Sequence, residues 1–145
     1  MKKIILVIGL IATQNINAYI FTPLDQIPLK GEVSLIYGAE RCAALFSYFY
    51  AMLSKDNSNN AKKTSEKYLT RYMYMQTISW GMRVAFYKVS DEKAQKDSSV
   101  QFRKFVDIYL KDGKEAFSRN GGYFTGIIKA DAQWCEGIYR DLKEK

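Results

Sequence analysis

Apolar residues recur at steps of three and four along most of the chain, and the longest such run lies in residues 31–55. This run comprises Leu35, Cys42, Leu45, Phe46, Phe49, Met52 and Leu53. Because an α-helix has about 3.6 residues per turn, this spacing places the side chains in one broad stripe. The pattern predicts a first helix over residues 31–55, which must bury its apolar stripe against other elements.

Three further segments carry matching apolar stripes. The second predicted helix spans residues 60–89 and follows a run of turn-forming residues at 56–60. The third ends before Asn120, since Asn-Gly-Gly is typical of a helix C-terminus, and the fourth spans residues 123–142. Four helices with short connections and no convincing strand predict an all-α fold, an up-down-up-down four-helix bundle over residues 31–145.

The third helix has two candidate starting points. Ser90 precedes Asp91 and Glu92, an order typical of a helix N-terminus. Ser98, with Gln101 three residues later, forms a capping-box pattern. The polar segment around these residues contains neither Gly nor Pro, so the pattern leaves both starting points open.

The chain before the first helix has two parts. Lys2 and Lys3 precede an apolar run at 4–12, and Ala18 is a small residue at the expected cleavage position. This order is typical of a secretory signal peptide at residues 1–18, and the apolar run is shorter than the ~20 residues that span a bilayer. We expect cleavage rather than an uncleaved anchor. The mature protein would then have no transmembrane span and would be periplasmic or secreted.

Residues 19–30 form the second part of this N-terminal region. They contain both prolines of the chain, Pro23 and Pro28, and show no helical periodicity. These features predict an extended N-terminal arm that lies on the bundle or leads into it. The abundance of Lys, Asn, Ile and Tyr favours a bacterial or phage source.

Cys42 and Cys135 are the two cysteines of the chain. An exported protein meets an oxidising compartment, which favours one disulfide over two separate buried thiols. Cys42 lies near the middle of the first predicted helix and Cys135 near the middle of the fourth. These helices are antiparallel neighbours in an up-down-up-down bundle, so a disulfide joining the first and last helices agrees with the predicted topology.

Composition argues against several classes of functional site. The chain has no histidine, which removes Ser-His-Asp and Cys-His catalytic sites, His-ligated haem and the ligand set of di-iron bundles. It also lacks a Cys-x-x-Cys redox motif and a glycine-rich phosphate loop. We therefore expect no cofactor, no metal site and no enzyme activity. The net charge of +7 is spread along the chain, so we expect no nucleic-acid partner either.

Asp131 is the one carboxylate that the pattern places close to the core. It lies one turn before Cys135, beside the inward stripe of the fourth helix. A buried aspartate there is either a functional group with a raised pKa or a structural carboxylate, paired with Arg41 or bonded to a tyrosine hydroxyl. The structural role is favoured. Glu40 and Arg41, beside Cys42, are most simply part of a solvated helix face.

Eleven tyrosines and eight phenylalanines are the most prominent feature of the composition. The aromatic residues of the first two helices are too numerous to share one face, although a bulky core and its rim would account for many of them. Tyrosine and tryptophan suit interfaces, so we predict that some of Tyr48, Tyr50, Tyr74 and Trp80 are exposed together and form a binding surface.

These features predict an exported small helical protein that acts by non-catalytic binding to an envelope or extracellular protein, peptide or other partner. The alternative is a carrier of a small apolar ligand, held in an aromatic-lined pocket between helices. An enzyme that relies on carboxylates and tyrosines is the third hypothesis. An exposed aromatic patch would favour the first, an enclosed apolar cavity the second, and clustered acids in a cleft the third.

Overall fold

The computed structural model describes residues 22–28 and 30–144. Its four α-helices are α1 (Glu32–Leu53), α2 (Asn59–Tyr87), α3 (Asp91–Asn120) and α4 (Gly126–Lys143). The predicted all-α fold is confirmed, and no residue of the described ranges lies in a strand. The short connections are compatible with an up-down-up-down arrangement. The predicted signal peptide lies outside the described residues, and none of the described helices is long and apolar enough to cross a membrane.

Hydroxyl side chains cap three of the four helix N-termini, which explains where the helices begin. Ser58, Ser90 and Thr125 each accept a hydrogen bond from a backbone N–H of the first turn. The Ser90 start of the third helix is therefore confirmed. The Ser98 alternative is wrong, because Ser98 is fully buried inside α3 with its hydroxyl 3.1 Å from that of Ser79.

Helix α1 lies at the centre of the structure and contacts all three other helices. Every residue from 38 to 46 is buried, so the middle of α1 is enclosed on all sides rather than along one stripe. The small side chains of Ala39, Ala43 and Ala44, together with Gly38, let the neighbouring helices approach closely. The predicted stripe was wrong at Leu35, which is exposed near the start of the helix.

The disulfide between Cys42 and Cys135 is confirmed, and it joins α1 to α4. Their Cα atoms are 5.4 Å apart, and both residues are fully buried. By the loop-closure argument, a cross-link between positions so far apart in sequence stabilises the fold by about 4–5 kcal/mol. The first and last helices are therefore held together covalently at their midpoints.

The described part of the predicted N-terminal arm belongs to the core. Leu24–Gln26 form one turn of 3-10 helix, and Leu24 and Ile27 are buried among the core residues. The backbone N–H of Leu24 donates a hydrogen bond of 2.7 Å to Asp131 in α4. The 3-10 turn is thus attached to the last helix. Residues 19–21 and 29 of the arm lie outside the described ranges.

Candidate functional site

A buried charge cluster lies between α1, α3 and α4, centred on the ion pair of Arg41 and Asp131. The side chains of the two residues are 2% and 0% exposed, and Arg41 Nη2 is 2.6 Å from Asp131 Oδ2. Arg41 Nε and the Tyr109 hydroxyl also donate to Oδ2, at 2.8 and 2.5 Å, while Leu24 N–H donates to Oδ1. Arg41 Nη1 donates to the Tyr37 hydroxyl at 3.1 Å. Asp131 therefore has both of the structural contacts that the sequence suggested.

The protonation states in this cluster follow from burial and from the neighbouring groups. Burial, with the nearby Asp131 carboxylate, raises the pKa of Tyr109 well above its usual value. Burial alone would lower the pKa of Arg41, but the oxygens of Tyr109 and Asp131 raise it above its usual value. At neutral pH the guanidinium is therefore charged and the tyrosine is neutral. Neither side chain exchanges a proton readily, so the cluster is suited to cross-linking helices rather than to acid–base catalysis.

A cavity of about 390 Å³ lies beside the charge cluster. Arg41 and Tyr109 form part of its lining together with Phe105. The polar atoms of Arg41 and Tyr109 are directed at Asp131 and at each other, with Arg41 Nε 3.2 Å from the Tyr109 hydroxyl. These two side chains thus already have partners within the protein, and the lining also contains the carboxylates of Asp107, Asp112 and Glu115.

Glu40 forms a second ion pair on the other side of α1. Arg83 Nε of α2 donates to Glu40 Oε1 at 2.6 Å, and the Glu40 side chain is 1% exposed. Burial raises the pKa of Glu40 above its usual value, although the hydrogen bond from Arg83 acts in the opposite direction. The interpretation of Glu40 and Arg41 as a solvated face was wrong, because α1 is enclosed on all sides and both charges face neighbouring helices.

The four aromatic residues predicted to bind a partner do not form one exposed patch. Tyr48 is 2% exposed, and its hydroxyl donates to the Tyr123 carbonyl at 3.0 Å. Tyr74 packs edge-on against Tyr139 of α4, with ring centroids 5.4 Å apart. Tyr50 and Trp80 are half-buried. The expectation fails at Tyr48 because the middle of α1 has no face open to solvent.

The main exposed aromatic feature lies elsewhere, at the end of the structure where α1 finishes and α2 and α4 begin. A groove of about 690 Å³ lies there, which we call the aromatic groove. Seven apolar or aromatic residues line it, which we call its walls; they are Phe49, Met52, Leu53, Tyr68, Tyr123, Phe124 and Ala132. The four polar lining residues, which we call its rim, are Asp56, Thr64, Lys129 and Gln133. Three of these four are exposed, so the polar part of the lining is the part nearest to solvent.

Ring contacts fix the walls of the aromatic groove. Phe49 is buried at its base, 5.1 Å from the Tyr68 ring and 5.7 Å from the Phe124 ring, between centroids. Tyr123 stacks on Phe117 of α3 at 4.4 Å. Phe124 contacts Phe49 and is 54% exposed. The groove therefore combines a buried base with one large aromatic side chain that is accessible to a ligand.

Sequence reasoning missed this groove because Phe124 was assigned to the stripe of the fourth helix. In the structure α4 begins at Gly126, after the Thr125 cap, so Tyr123 and Phe124 belong to the connection before it. The available signal was the Asn-Gly-Gly stop at 120–122, which leaves the following aromatic pair between two helices.

Neither the charge cluster nor the aromatic groove has the composition of a metal site. Across residues 22–28 and 30–144, no three His, Cys, Asp or Glu side chains lie close enough together to hold a metal ion. Comparison with protein-family models, curated proteins and solved structures finds no match for this chain.

Proposed function

We propose that this protein acts by non-catalytic binding and that the aromatic groove is its ligand site. The observation that carries the proposal is a concave, apolar opening of about 690 Å³ that contains the exposed ring of Phe124. Small-molecule sites typically measure about 300–1,000 Å³ and are lined by apolar and aromatic side chains with a few polar groups. The groove fits this description. It favours the small apolar ligand, the alternative drawn from the sequence, over a patch built from Tyr48 and Tyr74.

The positions of the titratable groups support binding without catalysis. The chain has no histidine, and the buried acid Asp131 does not line the aromatic groove. Asp56, the one carboxylate on the rim, accepts a hydrogen bond from the Ser58 N–H at 2.8 Å and so stabilises the turn before α2. A pair of carboxylates for acid–base chemistry is absent from the lining of the groove.

A protein or peptide partner is the second candidate, and one observation favours it. Phe117 is 46% exposed, and it stacks on Tyr123, which lines the groove next to the exposed Phe124. Exposed aromatic rings close together are typical of interaction surfaces. The disulfide is compatible with the expected periplasmic or secreted location, where such a partner or ligand would be met.

Binding of a fluorescent apolar dye, with its emission followed by titration, tests the proposed site. We expect Phe124→Ala to weaken dye binding about tenfold, because burial of a large aromatic side chain contributes about 1.5–3 kcal/mol. Ala132→Phe, which places a ring inside the groove, should weaken it similarly.

Val100→Ala is the matched control, since Val100 is an exposed apolar residue of α3 that does not line the groove. An equal loss of binding in this control would contradict the assignment. So would binding that is unchanged in both groove variants.

A further inference from the structure

We infer that the aromatic groove accepts a single-chain anionic amphiphile, a long-chain fatty acid whose alkyl chain lies along the apolar walls and whose carboxylate meets the rim at Lys129. This inference rests on the proposed function and specifies its ligand class. It is drawn from the unequal distribution of charge around the groove and from the division of the lining into apolar walls and a polar rim.

The two chain segments that contribute the polar lining of the groove carry more basic than acidic side chains. In residues 54–67 and 123–133, besides the buried Asp131, these are the cations Lys55, Lys62, Lys63, Lys67 and Lys129 and the anions Asp56 and Glu66. The lining itself contains one cation, Lys129, and one anion, Asp56. Lys129 is exposed, whereas Asp56 accepts a hydrogen bond from the Ser58 N–H. An anionic headgroup would therefore meet the exposed ammonium group of Lys129.

Lys129 is the lining residue that lies in the first turn of a helix, α4, whereas Thr64 and Tyr68 lie in the second and third turns of α2. The positive ends of both helices already have an acid beside their caps. Asp56 accepts a hydrogen bond from the Ser58 N–H before α2, and Asp112 of α3 accepts one from the Thr125 hydroxyl before α4. The inferred headgroup contact therefore depends on the Lys129 side chain and not on the helix ends.

The apolar walls exclude a simple inorganic anion as the natural occupant. Phe49, Met52 and Leu53 line the groove along the last turns of α1 and offer no hydrogen-bond donors. An alkyl chain would cover this surface and gain the free energy of burying it, whereas a small anion would leave it in water. A neutral apolar ligand would cover the walls but would leave Lys129 without a counter-charge. An amphiphile satisfies both parts of the groove.

The shape of the site favours a small molecule over a protein as its occupant. A stable protein interface buries about 800 Å² on each partner. Apart from Phe117 and Phe124, the large exposed apolar side chains lie away from the groove lining, on α1, α2 and α3; they are Val33, Leu35, Met73, Phe86, Tyr87 and Val100. The apolar surface around the groove is therefore concave and limited to the groove itself, which suits a single alkyl chain.

Three amphiphiles with the same alkyl chain and different headgroups test the inference: laurate, dodecanol and dodecyltrimethylammonium. Laurate and dodecyltrimethylammonium are titrated below their critical micelle concentrations, and dodecanol below its aqueous solubility, into the folded, disulfide-intact protein, with displacement of a bound apolar dye as the signal. We expect laurate to bind about fivefold more tightly than dodecanol, and the cation to bind most weakly, because the exposed Lys129 ammonium attracts a carboxylate and repels a cation. Raising the ionic strength to about 1 M should remove most of the advantage of laurate.

Charge reversal locates the headgroup. Lys129→Glu should lower laurate affinity about tenfold and leave dodecanol affinity within about twofold. Lys104→Glu on α3, an exposed lysine that does not line the groove, is the matched control and should change neither affinity.

Each contrary result has a distinct meaning. Equal affinities for laurate and dodecanol would overturn the inferred headgroup while leaving the groove as an apolar ligand site. Equal effects of the Lys129 and Lys104 substitutions would also overturn it. Failure of all three amphiphiles to bind would overturn the proposed function as well. A dimer that dissociates in Phe124→Ala but not on addition of laurate, measured by light scattering, would make a second copy the occupant and overturn the inference.

Discussion

Two adjacent residues of α1, Glu40 and Arg41, form ion pairs on opposite sides of the helix, and the two pairs differ in how completely they are enclosed. Arg41 and Asp131 are both sealed from solvent, and Tyr109 and the Leu24 N–H also donate to the carboxylate. In the other pair, Glu40 is sealed but the Arg83 side chain is 15% exposed. The first pair joins four parts of the chain, whereas the second joins only α1 to α2.

The difference shows that an ion pair stabilises a fold only when its surroundings offset the loss of hydration. Burial raises the pKa of Glu40 in spite of Arg83, which means that the loss of hydration disfavours the charged carboxylate more than Arg83 favours it. For Arg41 the balance is reversed, because neighbouring oxygens raise its pKa although burial acts to lower it. The Arg41–Asp131 pair therefore has a structural role that the Glu40–Arg83 pair does not match.

The largest effect is expected from Asp131→Asn. This change leaves Arg41 charged and buried without its counter-charge, which should lower the free energy of unfolding by about 3–5 kcal/mol. Urea denaturation of the disulfide-intact protein measures it. Glu40→Gln, the matched change on the other side of α1, should cost much less. Equal decreases in the free energy of unfolding for the two variants would contradict the proposed difference between the ion pairs.

Removing the cross-link should destabilise the protein by about 2–5 kcal/mol, measured by thermal or urea denaturation of the double variant Cys42→Ala and Cys135→Ala. Cys42 follows Arg41 directly, and Cys135 lies one turn after Asp131, so the disulfide and the ion pair hold the same two helices. We therefore expect the effects of this change and of Asp131→Asn to be non-additive. Strict additivity would show that the two contacts act independently.

Glu40→Gln should change stability by about 1 kcal/mol or less at neutral pH, with a characteristic dependence on pH. Because the folded pKa of Glu40 is raised, its contribution to stability is fully present below the unfolded pKa near 4.5 and is lost as the pH rises through the folded pKa. Relative to Glu40→Gln, the natural protein should therefore lose stability between acidic and neutral pH. The opposite slope would mean that Arg83 outweighs burial.

The smallest effect is expected in the alkaline ultraviolet titration of tyrosine. Burial raises the pKa of Tyr37, Tyr48 and Tyr109 above the usual tyrosine value of 10, so these three side chains should ionise only at a higher pH. Their contribution to stability is present below pH 10 and is lost as the pH rises through their folded pKa values.

Tyr109→Phe provides the matched control for the alkaline titration. The delayed part of the tyrosine absorbance should decrease by one residue in this variant. A Tyr109→Phe titration curve that differs from that of the natural protein near pH 10, rather than at higher pH, would contradict the buried position of Tyr109.

Periodicity and caps predicted the elements of this fold well because they depend on local sequence. The four helices and the Cys42–Cys135 link follow from apolar spacing, turn signals and matching mid-helix positions. The enclosure of α1 was not predictable in the same way, since Ala43 and Ala44 add little to an apolar stripe but permit close approach from all sides. Glu40 illustrates the consequence. Its charge favoured a position in solvent, but in the structure it is buried and pairs with Arg83.

The aromatic groove could not be derived from periodicity, because it is formed where separate helix ends meet in space. Its walls combine Phe49 from α1, Tyr68 from α2 and Phe124 from the connection before α4. Helical spacing specifies which residues share a face of one helix and contains no information about which ends converge. The exposure of Phe124 could not be predicted from spacing either. Its position fits the apolar stripe of α4 if that helix is extended by one turn towards the N-terminus.

The central position of α1 has a consequence for the order in which the chain can fold during synthesis. A ribosome delivers α1 before the group that neutralises Arg41, because Asp131 lies 90 residues further along the chain. Until α4 has been made, α1 has no complete set of neighbours, and an N-terminal fragment leaves a charged side chain without its counter-charge. We therefore expect α1 to reach its native packing only after α4 has been synthesised.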